Sequence, residues 1–166
     1  MSQETTMPSH KTENLFDQLD RQKLADLLES GSGMKLTEDY FGYARPSYIC
    51  IAEGAEAYKG VIIVEDIDDD VRYLDKIVVG RQHQGNGIGR HLWYILLRDA
   101  EKLVWRARPD NPISRFYEDQ CDGKQKADAW MIYWKGLTPR ELAKGIGYAL
   151  AKKPTLVEHD APAGIK

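Results

Sequence analysis

Cysteine, long apolar runs and a dominant charge are the features that this sequence lacks. Its 166 residues contain only Cys50 and Cys121, too few for a disulfide framework and without the paired spacing of a metal site. No stretch approaches the ~18 apolar residues of a membrane span, and the polar first residues lack the apolar core of a signal peptide. The 23 basic and 26 acidic residues give a net charge of -3 with no basic block. We therefore expect reduced thiols, no bound metal, a cytoplasmic location, and neither a nucleic acid nor a membrane as partner.

The length is that of one domain with a single core. Both ends of the chain are polar, and the last residues include Pro154, Pro162 and Gly164. We expect residues 1–14 to be a disordered N-terminal segment, residues 15–152 to form the domain, and residues 153–166 to be a flexible tail.

Hydrophobic periodicity predicts helices and strands in alternation along the domain. Asp20 and Thr138 are typical helix N-caps, and Gly31 is a typical stop signal. The predicted strands are residues 47–53, 58–65, 71–79, 103–108 and 127–134, and the predicted helices are residues 21–29, 89–103, 111–119 and 140–151. This order indicates an α/β fold, a mixed sheet with helices packed on it.

A glycine-rich turn, Gln-Gly-Asn-Gly-Ile-Gly at positions 84–89, stands between the third predicted strand and the long helix after it. Glycines at alternate positions let backbone N–H groups approach a ligand closely, and a helix start favours negative charge. The turn lacks the GK[ST] ending of a P-loop and is tighter than the dinucleotide fingerprint. It predicts a phosphate-binding loop, with a turn that serves chain geometry alone as the alternative.

Three cations fall on two strands that we expect to be neighbours. Lys76 interrupts an apolar stretch, where an unpaired charge would be costly to desolvate. Asp75 would point to the opposite face of a regular strand, so another anion is expected. Arg106 and Arg108 are two residues apart and would share a face. Each cation alone is typical of an exposed side chain, but together they indicate a small ligand with more than one carboxylate.

The spacing Gln-x-x-Gly-x-Gly resembles the acyl-CoA pyrophosphate loop of the GCN5-related N-acetyltransferase superfamily. Further segments narrow the resemblance to the acetyltransferase domain of N-acetylglutamate synthase, of the type found in animals and in bacterial synthase–kinase fusions. The resemblance covers about residues 15–150. The matching segments are GMKLTEDY at 33–40, YLDKIVV at 73–79, WRAR at 105–108, NP at 111–112, and residues 130–137.

The resemblance implies an α/β GCN5-related N-acetyltransferase fold, with a mixed, mostly antiparallel sheet of about six to seven strands and flanking helices. It also implies acetyl-CoA as co-substrate and the reaction of acetyl-CoA with L-glutamate to give N-acetyl-L-glutamate and CoA, in arginine biosynthesis. Two alternatives stay open. The acceptor could be another acidic amino acid or amine, or the domain could sense acetyl-CoA or glutamate without catalysis.

The resemblance also assigns site residues. Tyr117 is the expected acid for the departing thiolate, since a phenol of pKa near 10 matches a thiol of pKa ~8–9, and Asn111 accompanies it. The residues expected to hold glutamate are Lys35, Lys76, Arg106, Arg108 and Asn111. The residues expected to hold the cofactor are Ile77, Val78 and Val79 for the pantetheine arm, and Gln84, Gly85, Asn86, Gly87, Ile88, Gly89 and Arg90 for the pyrophosphate.

The sequence does not identify the base that accepts the amine proton. Asp75 and the acidic run at 65–70 are candidates by charge alone, and that run is more typical of a solvated turn. Trp130, Tyr133 and Trp134 are expected to belong to the core and the sheet face.

In the family, an amino-acid kinase-like domain usually precedes this module and carries the expected site for arginine feedback. That domain is not in this sequence. A homodimer or association with such a kinase-like domain is left open.

Overall fold

The computed structural model describes residues 3–8 and 14–159. In this part of the chain, seven strands form one sheet and two short strands form another. The strands are β1 (Gln3–Pro8), β2 (Lys35–Leu36), β3 (Pro46–Glu53), β4 (Tyr58–Asp66), β5 (Val71–Val79), β6 (Lys102–Ala107), β7 (Gly123–Ala127), β8 (Trp130–Lys135) and β9 (Leu156–Val157). The α-helices are α1 (Arg21–Ser32), α2 (Tyr40–Tyr43), α3 (Ile88–Asp99), α4 (Ser114–Gln120) and α5 (Pro139–Ala151), and short 3-10 turns lie at Leu15–Gln18 and Arg81–His83.

The large sheet has the strand order β1-β3-β4-β5-β6-β8-β7. Its neighbours are antiparallel except β5 and β6, which run parallel. A parallel pair needs a crossover, and α3 supplies it. The predicted fold class, a mixed and mostly antiparallel sheet with flanking helices, is confirmed.

Both faces of the sheet are covered by helices. In β3, Tyr48, Cys50 and Ala52 belong to the core cluster that contains the apolar side of α3. The alternate residues Ile49 and Ile51 belong to the cluster that contains α1. Because successive side chains of a strand point to opposite faces, a strand covered on both sides is apolar throughout. A third cluster joins β6 to α5.

Helix boundaries differ from the predictions where tertiary packing decides them. Asp20 caps α1 as predicted, accepting from the Lys23 backbone N–H at 3.0 Å. The helix continues past Gly31, however, and ends at Gly33 with φ 70°. A Cβ on Gly31 would lie 2.4 Å from the Val79 carbonyl oxygen, so this glycine permits close packing of α1 on β5. The next predicted helix, in contrast, ends earlier than predicted, at Asp99 rather than residue 103.

The last predicted strand is one half of a hairpin. β8 begins at Trp130, and β7 pairs with it antiparallel. The turn between them contains Asp128 with φ 55°, a conformation that Asp tolerates better than most residues. Because β7 is polar and mostly exposed, it lacks the apolar alternation that would have predicted it.

The terminal segments contain more structure than predicted. Residues 3–8, assigned to a disordered segment, form β1 at the edge of the large sheet. Residues 156–157, assigned to a flexible tail, form β9 and pair with β2. Residues 1–2, 9–13 and 160–166 of those two segments lie outside the described residues. No helix within the described ranges is long and apolar enough to cross a bilayer.

Candidate active site

A cleft opens where β5 and β6 separate. The two strands pair from Val71 with Lys102 to Leu74 with Trp105, and the pairing stops there. Beyond that point a cavity of about 1010 Å³ lies between them. On its β6 side, the backbone of β5 from residue 75 to 79 has no strand partner, so its N–H and C=O groups can pair with an extended ligand. Ile77, Val78 and Val79 all line the cleft.

The glycine turn forms one end of the cleft. Gly85 and Gly87 have φ values of 87° and 82°, which side chains other than glycine rarely adopt. The N-cap of α3 is Gly87, which has no side chain to bond the first backbone N–H groups of the helix, so among the described residues these groups are left available to an anion. Gly89 and Arg90 also line the cleft. This end of the cleft fits the phosphate-binding loop that the sequence predicts.

Three other residues of the turn have different roles. The Gln84 side-chain amide donates to the Gly31 carbonyl at 3.1 Å and to the Val79 carbonyl at 3.0 Å. The Gln84 side chain therefore ties the turn to α1 and β5, and the backbone of the turn is left to face the cleft. Asn86 and Ile88, both predicted to hold the cofactor, are not among the residues that line the cleft. Asn86 is exposed, and Ile88 packs against the core.

A β-bulge in β5 changes the orientation of Asp75. Lys76 pairs with Ile63 and Leu74 with Val64, which leaves Asp75 without a partner residue on β4. A bulge breaks the regular alternation of side chains. The prediction that Asp75 faces away from Lys76 is therefore wrong, because the Lys76 Nζ lies 3.6 Å from Asp75 Oδ1.

Asp75 is buried and held by several partners. Its side chain is 4% exposed, it accepts from the Tyr40 hydroxyl at 2.7 Å, and the Lys152 Nζ lies 3.7 Å from it. Burial by itself raises the pKa of Asp75, but the charges of Lys76 and Lys152 and the Tyr40 hydrogen bond outweigh it and hold the pKa below its usual value. A carboxylate so stabilised is a weak base.

Glu65 is the buried member of the acidic run. It is 2% exposed, and its Oε1 accepts from the Lys152 Nζ at 2.5 Å and from the Tyr148 hydroxyl at 2.5 Å. The interpretation of residues 65–70 as a solvated turn therefore fails for Glu65, while 68–70 are exposed. Glu65 serves a structural ion pair that fixes the end of α5 against the sheet.

Lys76 lies at the other end of the cleft from the glycine turn. Its side chain is 9% exposed, and its Nζ donates to the Thr155 hydroxyl at 2.6 Å. Burial lowers the pKa of Lys76, and the nearby Asp75 offsets this only in part. A carboxylate brought to this ammonium by a ligand would stabilise its charged form.

Two arginines and a tryptophan form the wall next to Lys76. The Arg106 and Arg108 guanidinium carbons lie 3.8 and 3.9 Å from the centroid of the Trp130 ring. Two guanidinium groups that close to one face would overlap, so the indole lies between them. Trp130 was predicted to belong to the core and the sheet face; it does pack against the core cluster that joins β6 to α5, and it also lines the cleft. The pairing of Ala107 with Met131 brings Trp130 beside Arg108, a contact that depends on strand register.

The two arginines differ in their partners. Arg106 donates from Nη1 to the carbonyls of Ala149 and Lys152 at 2.6 and 2.7 Å, and from Nη2 to the Lys153 carbonyl at 3.2 Å. It therefore caps the carbonyl end of α5. The Arg108 guanidinium has no hydrogen bond or ion pair to the residues that the structure describes, and it lines the cleft. Arg108 is thus the arginine that is available to a ligand.

Tyr117 and Asn111 line the cleft from the α4 side. Tyr117 is 6% exposed, with its ring centroid 5.4 Å from that of Tyr133 and 5.7 Å from that of Trp105. Burial raises its pKa, so the phenol keeps its proton at neutral pH. The Asn111 Oδ1 accepts from the Ile113 backbone N–H at 3.0 Å, which shapes the turn before α4.

Lys35 is not brought to the cleft with the other predicted glutamate ligands. In β2 the side chain of Leu36 is buried and Lys35 is exposed, because adjacent side chains of a strand point to opposite sides. Thr155 and Leu156, which sequence reasoning placed in a tail, do line the cleft. No grouping of His, Cys, Asp or Glu side chains suited to a metal ion was found within residues 3–8 and 14–159.

Comparison with known proteins gives one family. Residues 10–148 match the family model described as the N-acetyltransferase of N-acetylglutamate synthase. Mitochondrial N-acetylglutamate synthase of Homo sapiens is 38% identical over 124 residues, which cover 74% of this chain and 23% of that protein. Acetylglutamate kinase of Xanthomonas campestris is 31% identical over 147 residues, which cover 86% of this chain and 34% of that protein. The chain thus spans 23% and 34% of the lengths of these relatives.

Solved structures with the same fold include other acetyltransferases. An acetyltransferase from Streptococcus agalactiae superposes with a TM-score of 0.60 at 19% identity, over 81% of this chain and 98% of that one. The ribosomal-protein-S18-alanine N-acetyltransferase from Escherichia coli superposes with a TM-score of 0.57 at 16% identity, over 82% and 96%. At these identities the likeness establishes the fold alone.

Proposed function

The chain belongs to the N-acetyltransferase family of N-acetylglutamate synthase, and on that premise we propose that it transfers an acetyl group from acetyl-CoA to the α-amine of L-glutamate. The products are N-acetyl-L-glutamate and CoA, the entry step of arginine biosynthesis. The observation that carries the proposal is a single cleft with an anion-binding turn at one end and buried cations at the other.

The cofactor half of the cleft suits an acyl-CoA. The glycine turn and the uncapped start of α3 would hold the pyrophosphate, with Arg90 as an additional cation. The unpaired edge of β5 would pair with the amide groups of the pantetheine arm, as a strand partner would. The same backbone N–H groups would polarise the thioester carbonyl and stabilise negative charge on its oxygen during attack.

The acceptor half suits a dicarboxylic amino acid. Lys76 and Arg108 supply two positive charges for its carboxylates, and Asn111 lines the same cleft. The neutral α-amine attacks the thioester carbon directly, so no covalent enzyme intermediate is required. The proton that the amine nitrogen loses passes to water, and water returns a proton to Tyr117 after each turnover. Tyr117 then gives its proton to the departing thiolate, and its raised pKa keeps that proton in place until the C–S bond breaks.

The kinase relatives support a wider arrangement. Because acetylglutamate kinase of Xanthomonas campestris matches 86% of this chain over 34% of its own length, we propose that this domain works in association with an amino-acid kinase-like domain. Size-exclusion chromatography with and without such a kinase would test this arrangement.

The proposed reaction is tested by thiol release from acetyl-CoA with a panel of amines. L-glutamate and L-glutamine form the matched pair, since they differ in one side-chain charge at almost equal shape. We expect kcat/KM for L-glutamate to exceed that for L-glutamine by about a hundredfold or more, because the neutral amide loses the charge-assisted hydrogen bonds that a carboxylate makes to Lys76 and Arg108. Comparable turnover of neutral amino acids would contradict a dicarboxylate acceptor. A preference for L-aspartate would support another acidic acceptor. Binding of CoA without release from any amine would support a sensor.

A further inference from the structure

The chain that follows α5 crosses the acceptor end of the cleft. We name residues 152–157 the closing segment. Its Thr155 is 4% exposed, and Thr155 and Leu156 both line the cleft. The closing segment lies outside residues 10–148, which the family model matches, so the match gives it no role.

The closing segment is held in place along its length. Arg106 binds the carbonyls of Lys152 and Lys153, and the Lys153 backbone N–H donates to the Tyr43 hydroxyl at 3.0 Å. The Thr37 backbone N–H donates to the Thr155 carbonyl at 2.9 Å, and β9 pairs with β2. A segment with this many backbone partners presents its side chains to the cleft in a fixed position.

Thr155 has hydrogen-bonding capacity to spare. Its Oγ1 accepts from the Lys76 Nζ at 2.6 Å, and a hydroxyl that accepts one hydrogen bond still has its own hydrogen to donate. In the part of the chain that the structure describes, no acceptor is found for that hydrogen. Because Thr155 and Lys76 line the same cleft, an anion bound by the ammonium lies within reach of the hydroxyl.

We propose that Thr155 is a specificity-determining residue of the acceptor site, whose hydroxyl orients the Lys76 ammonium and donates its own hydrogen to the same acceptor carboxylate. This role rests on the acetyl transfer to an acidic amine proposed above. Arg106 has a positioning role in the same site, because its guanidinium is used on the carbonyls that anchor the closing segment. Arg108 is left as the arginine that meets the acceptor directly.

The proposal is tested with Thr155→Val and Thr155→Ser. Valine has almost the shape of threonine without the hydroxyl, whereas serine keeps the hydroxyl and loses the methyl group. We expect Thr155→Val to raise the KM for L-glutamate about tenfold or more, the loss typical of a hydrogen bond to a charged group. The KM for acetyl-CoA should stay within about twofold, because the cofactor half is untouched, and Thr155→Ser should behave like the wild type.

The results separate this inference from the proposed function. Three results would overturn the role of the hydroxyl: an unchanged KM for L-glutamate in Thr155→Val, an equal rise of that KM in both variants, or a rise in the KM for acetyl-CoA instead. In each case, turnover of L-glutamate by the wild type would still uphold the proposed reaction. If the wild type turns over no amine, titration of the CoA-bound protein with L-glutamate, followed by tryptophan fluorescence, gives the binding constant. Weaker binding by Thr155→Val alone then supports the inference without catalysis, and no binding by the wild type overturns both.

Discussion

Replacing Tyr117 by phenylalanine tests the proposed acid with little disturbance to the fold. The ring of Tyr117 lies 5.4 to 6.3 Å, centroid to centroid, from those of Tyr133, Trp105, Trp93 and Phe116. A phenyl ring keeps all four contacts. Within the described residues the hydroxyl has no hydrogen-bond partner to lose, so we expect the free energy of unfolding to change by less than about 1 kcal/mol.

The catalytic effect of this substitution should be much larger than its effect on stability. General-acid catalysis contributes about 10²- to 10⁴-fold in rate, so kcat should fall at least about a hundredfold, equivalent to about 2.7 kcal/mol in the barrier. The KM values for acetyl-CoA and L-glutamate should change little, since the acid acts when the C–S bond breaks. Because burial raises the pKa of Tyr117, kcat of the wild type should show no loss from its deprotonation up to about pH 10.

The assay is steady-state thiol release with both substrates varied, alongside thermal unfolding of each protein. Tyr133→Phe is the matched control, because Tyr133 is equally aromatic and 1% exposed but does not line the cleft. It should keep wild-type kcat. If Tyr117→Phe retains kcat within about threefold, or if both variants lose it equally, the assignment of Tyr117 as the acid is refuted.

Two further substitutions test the loop and the buried charges. In Gly87→Ala, a side chain at φ 82° costs about 1–2 kcal/mol of strain, so the KM for acetyl-CoA should rise while that for L-glutamate stays. Gly147→Ala on α5 is the control, and an equal rise in the KM for acetyl-CoA in both variants would contradict the role of the turn. Asp75→Asn should lower the free energy of unfolding by about 3 kcal/mol at pH 7. Since the folded pKa of Asp75 is lowered, that difference should shrink as pH falls below about 4. A difference equal at pH 7 and pH 3 in urea unfolding would contradict it.

Features encoded by neighbouring residues were predictable from the sequence. The predicted strand at 71–79 matches β5 at both ends, and the glycine turn leads directly into α3. Thr138 caps α5 through a reciprocal pair of hydrogen bonds with Glu141. Each of these depends on residues within one turn or one strand, so periodicity, capping and glycine placement are sufficient to indicate them.

The partners of the charged residues were decided by the tertiary structure. The bulge that turns Asp75 toward Lys76 depends on the register with β4. The separation of Arg106 and Arg108 by Trp130 depends on the register with β8. The three cations Lys76, Arg106 and Arg108 were predicted to share a site from their types and spacing. Which of them stays available to a ligand depends on strand pairing.

By itself, the sequence determined the α/β class, the order of the elements around the cleft, and a glycine turn at the start of α3 whose pattern predicts anion binding. Only the tertiary structure decided which charged residues line the end of the cleft around Lys76. Lys76 meets Thr155 across 79 positions of the chain, and Arg106 meets the end of α5 across 43 to 47 positions. Local patterns carry no information about such distant pairs, because these contacts form only when the packed sheet brings the buried charges and the closing segment together.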